Sequence, residues 1–212
     1  MAYSDFKTIN QVKVSFDLDI SLINLFPQVE PVEPSEYLKT TLKRNLQVAF
    51  DNNTEKARSE LIIAPLLIEV REMFNGKVSL FSGRDFNVDA TQGLNGFCDY
   101  ILSASEFTLE IEAPVIAIVE AKNESTNAGL GQCIAEMVAA QRFNQVRDRI
   151  TPSIYGAVTT GRIWRFLKLS AQTVLIDNEE LVIENIEDIN VSKILGILTE
   201  PIKQLNVDSS NT

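Results

Sequence analysis

Five consecutive apolar residues, Val115-Ile116-Ala117-Ile118-Val119, run directly into Glu120-Ala121-Lys122. A run of that length, mostly β-branched, predicts a strand buried on both faces, where charge is normally absent. Side chains alternate along a strand, so Glu120 and Lys122 share one face, roughly 7 Å apart along it. Two charges on one face at the end of a buried strand must either pair there or act there.

A second segment carries the same anomaly. Phe97-Cys98-Asp99-Tyr100-Ile101-Leu102 is apolar and aromatic except for Asp99, and it follows the turn-rich stretch 91–96 as a strand should. A buried aspartate costs several kcal/mol, on the order of 3–5, unless it is paired or binds a cation. Asp99, Glu120 and Lys122 are therefore the charges that need an explanation.

Composition narrows the chemistry. The chain has 212 residues and no histidine, which excludes Ser-His-Asp and Cys-His catalysis, His-ligated zinc and imidazole as a base. Carboxylates, lysine, hydroxyls or an oxygen-ligated hard metal remain. Cys98 and Cys133 lack CxxC spacing and lie in apolar surroundings, which predicts reduced core residues. With 45% hydrophobic residues, no apolar run near membrane-spanning length and no signal-peptide pattern, the expectation is a cytoplasmic globular protein without membrane attachment. The net charge of −10 argues against a polyanionic partner, but it is unevenly spread. Residues 141–168 hold Arg142, Arg147, Arg149, Arg162, Arg165 and Lys168 against a single acid, Asp148.

Along the chain, the alternation of Val12, Val14, Phe16, Leu18 and Ile20 predicts a half-buried N-terminal strand, followed by a Pro-rich connector at 27–34. Residues 1–34 are thus set apart from a single domain over 35–207, with a disordered tail at 208–212. Ser35 is a candidate N-cap for a helix over 36–50, and Thr54 for a longer, largely buried helix to Phe74, with Glu60 on its inner half and Pro65 kinking or dividing it. Strands are expected near 77–88, 97–104, 106–112 and 115–122, then a loop at 123–131 and a helix over 131–147. Strands at 153–159 and 163–169 are joined by the Thr160-Gly161-Arg162 turn; a hairpin at 173–186 and an amphipathic helix over 189–206 follow. Trp164 and Phe166 alternate as core residues. The order implies an α/β fold with a central mixed β-sheet flanked by helices.

Taken in order, Glu60-Leu61-Ile62-Ile63-Ala64-Pro65-Leu66-Leu67, Gly96-Phe97-Cys98-Asp99-Tyr100-Ile101, Val119-Glu120-Ala121-Lys122 and then Gln132 opening a helix resemble the PD-(D/E)XK nuclease superfamily. The nearest likeness is to the N-terminal nuclease domains of type I restriction enzyme R subunits. Gly156-Ala157-Val158-Thr159-Thr160-Gly161-Arg162-Ile163-Trp164 resembles the paired strands that follow there. The resemblance spans about residues 54–169. It implies a restriction-endonuclease-like core in which Asp99, Glu120 and Glu60 hold Mg²⁺ or Mn²⁺. Lys122 would orient water or stabilise the transition state, with Gln132 as a further catalytic candidate. Some branches follow that glutamine four residues later with tyrosine; here the position is Glu136.

The expected activity is metal-dependent hydrolysis of phosphodiesters in DNA, as a deoxyribonuclease acting in restriction or repair. The alternative is a catalytically silent nuclease-fold module that binds nucleic acid or a partner protein. Asp99, Glu120, Lys122 and Glu60 are expected to converge at one end of the sheet, with the basic 141–168 segment around the mouth. A symmetric homodimer would suit double-strand cleavage.

Overall fold

In a computed structural model that describes residues 1–107 and 109–209, the chain forms three layers, helices on both faces of one mixed sheet. The elements in order are α1 (Ile9–Phe16), β1 (Asp19–Ile23), α2 (Glu36–Asn52), α3 (Glu55–Arg58), a π-helical segment (Ser59–Ile63), α4 (Ala64–Met73), β2 (Ser79–Asp85), β3 (Phe97–Ser103), β4 (Val115–Ala121), α5 (Leu130–Val146), β5 (Ile154–Thr159), β6 (Ile163–Ser170), β7 (Thr173–Asp177), β8 (Leu181–Val182) and α6 (Ile189–Ser209). Among the described residues eight strands make the sheet, in the order β1-β7-β6-β5-β4-β3-β2, with β8 beside β6. The β4/β5 and β1/β7 pairs are parallel and the rest antiparallel. Parallel neighbours need a crossover, and α5 is the one that joins β4 to β5.

β4 is buried along its whole length. Burying Val115, Ile116, Ile118 and Val119 contributes about 1.5–3 kcal/mol each, which offsets the several kcal/mol of carrying Glu120 inside with them. One face of the sheet packs Tyr100, Val119, Trp164 and Phe166 under α2, α4 and α6; the other packs Ile118, Val158 and Leu167 under α5 and the N-terminal segment.

The N-terminus departs from the expected strand at 12–20. Thr8 caps α1, its hydroxyl accepting from Gln11 N while Gln11 Oε1 accepts from Thr8 N, a reciprocal capping box. Val12 and Phe16 are four apart and face inward, whereas Val14 is 75% exposed. The alternating pattern thus held an i, i+4 pair, and β1 begins only after Asp17 ends the helix in the left-handed region. Nor is this segment detached: Tyr3, Phe6 and Val12 lie in the core, and β1 extends the sheet beside β7.

Ser35 and Thr54 cap their helices as expected. Between α3 and α4 the backbone widens, Ala64 N donating to Ser59 O five residues back. Pro65 lacks the N–H that Leu61 O would receive in an α-helix, and Asn45 Nδ2 takes that carbonyl at 2.9 Å. The extra residue per turn rotates the helix and turns Glu60 outward, where a regular helix was expected to keep it on the inner half.

The expected strand at 106–112 is absent among the described residues. Ser79 Oγ pins this loop by bonding the carbonyls of Ser105 and Phe107, both at 2.7 Å. The expected hairpin at 173–186 is also different, because β7 and β8 pair end to end along β6 and not with each other. α6 continues through Ser209; of the expected tail, residues 210–212 lie outside the described residues. No helix among the described residues is long and apolar enough to cross a membrane.

Candidate functional site

The site forms where β3, β4 and the start of α5 meet. The β3/β4 ladder is last paired at Tyr100 and Val119. Beyond it the Asp99 side chain takes over, Oδ2 accepting the Ala121 N–H at 2.8 Å. Lys122 N continues the other side of β4 by donating to Thr159 O at 2.8 Å. Glu120 has the parity of Ile118 and so faces α5, where it is 1% exposed.

Lys122 Nζ ion-pairs with Glu120 Oε1 and also donates to Gln132 Oε1 at 3.2 Å. Gln132 Nε2 in turn donates to Glu136 Oε1 at 3.0 Å. One chain of polar contacts thus runs Glu120–Lys122–Gln132–Glu136, with Asp99 alongside. Close packing holds it: a Cβ on Gly129 would stand 2.5 Å from Val158 Cγ1 and 3.0 Å from Lys122 Cγ.

Burial, then the negative charge of Asp99, raises the Glu120 carboxyl from 4.5 to about 8, against the opposing pull of Lys122. Glu136 is wholly buried and raised well above the carboxylate range, by burial first and by Glu120 next. For Lys122, burial works against the charge, but Glu120 outweighs it and the amine is held more firmly as ammonium. Oε2 of Glu120 and Oε2 of Glu136 are both buried without a partner. Glu120 bonds the Lys122 ammonium directly, while Glu136 receives only a neutral amide.

Four of the expected residues, Asp99, Glu120, Lys122 and Gln132, are therefore brought together. Glu60 is not among them: its side chain is 61% exposed and pairs with Lys56 at 3.0 Å. Glu136, one turn after Gln132, joins them and is fully buried because α5 is covered on nearly every side. Its signal was the four-residue spacing from Gln132.

The basic segment is dispersed. Arg162 and Arg165 lie on the site's side, paired with Glu184 and Glu180. Arg142 pairs with Asp89, Arg147 stacks on Phe143, Arg149 stands near Phe74 and Lys77, and Lys168 lies over Tyr155. Neighbours along the chain are separated here because α5 and β6 carry them to different ends and faces. The two cysteines are buried free thiols, as expected.

Among the described residues no three acidic or thiol side chains are gathered as a ready metal cage. Mg²⁺, however, is commonly held by one or two carboxylates completed by water and phosphate. Asp99 and Glu120 supply two hard-oxygen donors, and the unpartnered Glu120 Oε2 is one such oxygen. No family model matches the chain, and no curated protein matches it.

Proposed function

We propose that the chain is a metal-dependent deoxyribonuclease built on a restriction-endonuclease-like core. What carries the reading is a buried glutamate and a lysine on one strand end, with an aspartate of the adjacent strand against them. Buried ionic groups are retained at a cost to stability, and perturbed carboxyls concentrate where chemistry is done. The mixed sheet with β4 and β5 parallel across α5 supports the same reading.

Asp99 and Glu120 would hold Mg²⁺ or Mn²⁺, with Glu60 as a third ligand if it leaves Lys56. The bound cation would lower the pKa of its water and neutralise charge at phosphorus. Lys122, fixed by Glu120 and Gln132, presents a positive charge to a non-bridging phosphate oxygen as negative charge develops there. Gln132 keeps the ammonium from turning away, and Glu136 keeps Gln132 oriented.

The test is nicking of supercoiled plasmid with Mg²⁺ or Mn²⁺, by wild type and by Lys122→Ala. The expected result is metal-dependent nicking that falls at least 100-fold in the variant. A well-folded wild type that binds DNA but nicks nothing under either metal would favour the silent-module alternative, for which the outward pairing of Glu60 with Lys56 speaks.

A further inference from the structure

A second polar feature lies beside the site and takes no part in it. Arg58, the last residue of α3, is 5% exposed. Its guanidinium donates Nη1 to Asn53 Oδ1 at 2.7 Å, and Nη2 to both Asn123 O at 2.6 Å and Asn123 Oδ1 at 2.8 Å. Nε is buried without a partner. Every acceptor is a neutral amide, and among the described residues no carboxylate is within ion-pairing distance of it. A buried arginine is ordinarily paired, since removing a guanidinium from water is costly without an opposite charge. Here that opposite charge is missing.

Arg58 lies at the floor of a cleft of about 170 Å³ lined by Phe50, Asn53, Asn123, Thr160 and Arg162, with Glu124 the one acid on its wall. Its stem is clamped by the turn after β5, where a Cβ on Gly161 would come within 2.9 Å of Arg58 Cβ. The second cation, Arg162, lies over the Phe50 ring and pairs with Glu184 at the surface. Asn123 directly follows Lys122, so one wall of the cleft is the chain that leaves the candidate site.

We infer that this cleft is a phosphate subsite that holds a backbone phosphate of a nucleic-acid strand passing over the candidate site. The placement on a strand rests on the proposed nuclease reading; the capacity for an oxyanion rests on Arg58 alone. A planar guanidinium with unused N–H groups matches phosphate oxygens. The anion supplies the charge that Arg58 lacks, and Arg162 adds a second contact once it exchanges Glu184 for the ligand.

Asn53→Asp tests this without removing Arg58. The new carboxylate sits where Asn53 Oδ1 already accepts from the guanidinium, so it neutralises the charge and preserves the hydrogen bond. All measurements are made in EDTA, so that turnover plays no part and a failure of catalysis is separable from a failure of binding. With inorganic phosphate, the wild type is expected to melt at a saturably higher temperature and the variant to show no such shift. For a fluorescein-labelled DNA duplex, affinity by anisotropy should fall five- to tenfold, and the slope of log K against log salt should flatten by about 1.

Melting of the unliganded variant at or above the wild-type temperature shows that the fold is kept. If it melts lower, the phosphate response of the wild type, and of exposed Arg162→Gln, decides in its place. Equal binding of duplexes with and without a 5′-phosphate assigns the cleft to an internal phosphodiester, and preference for the phosphorylated end to a terminal phosphate; both support the subsite. A wild type unmoved by phosphate, or an Asn53→Asp variant with unchanged DNA affinity and salt slope, overturns it and leaves Arg58 as a strap between α2 and the loop after β4.

Discussion

Glu120 and Glu136 meet in the interior of the protein with one oxygen apiece, Oε2 in each case, left without a partner. One comes from a strand end and the other from the second turn of the crossover helix. Two carboxylates cannot both stay ionised in such a place, so the pair must hold a proton or receive a cation.

The proton makes stability pH-dependent, in a direction fixed by the shifts. Both carboxyls are raised from 4.5, so the native state binds more protons than the unfolded chain. Their favourable contribution is whole below pH 4.5 and is lost as pH rises toward about 8. Urea denaturation without metal should show stability declining from pH 5 to pH 8. Glu136→Gln keeps the bond from Gln132, flattens that decline and gains roughly 1–3 kcal/mol over wild type at pH 8. An unchanged slope in this variant would place the proton elsewhere.

Asp99→Asn separates the ligand role from the structural one. Asparagine still accepts the Ala121 N–H through its amide oxygen, and it removes the charge that raises Glu120. Metal-free stability should therefore be unchanged or higher by about 1 kcal/mol. The variant should lose the increase in melting temperature that Mg²⁺ or Mn²⁺ confers on wild type, since that gain scales with RT ln(1 + [L]/Kd). Thermal melts of both proteins with and without metal check this; equal metal responses would remove Asp99 from the ligand set.

Lys122→Met keeps most of the side-chain stem and deletes the ammonium. Glu120 then has no counter-charge and its carboxyl rises further. The cost should be small at pH 5, where Glu120 is protonated, and on the order of 3–5 kcal/mol at pH 8. Chemical denaturation at the two pH values reads this difference directly. Equal losses at both would mean that packing, and not charge, is what Lys122 contributes.

Gly129→Ala tests how tightly the site is held from behind. The added methyl meets Val158 Cγ1 at 2.5 Å and the Lys122 stem at 3.0 Å. Overpacking of this kind costs about 1–3 kcal/mol. DNA nicking, if the proposed activity holds, should fall more than stability does, because the added methyl also presses on the Lys122 stem. A variant with normal melting and normal nicking would show that the loop yields freely.

The expectations that held rest on short-range physics. Ser35 and Thr54 cap helices because a hydroxyl before a helical run satisfies an amide that is otherwise unbonded. The apolar run at Val115–Val119 forms a central strand because so much β-branched surface has few other places to go. The reading at 12–20 failed for a local reason too: Val12 and Phe16 fit both periods, and the Thr8–Gln11 capping box decided for helix.

The sequence by itself determined the buried strand that ends in Glu120 and Lys122, the interrupting Asp99, and the α/β order of elements, because these follow from hydrophobic period and caps. Only the tertiary structure decided which charges meet. Whether Glu136 faces water or Glu120 depends on how completely α5 is covered. The direction of Glu60 depends on one extra residue in a helical turn beside Pro65, and the missing counter-charge of Arg58 on what packs there from α2, β4 and β5. Those are contacts between segments far apart in the chain, and helix or strand periodicity carries no information about them.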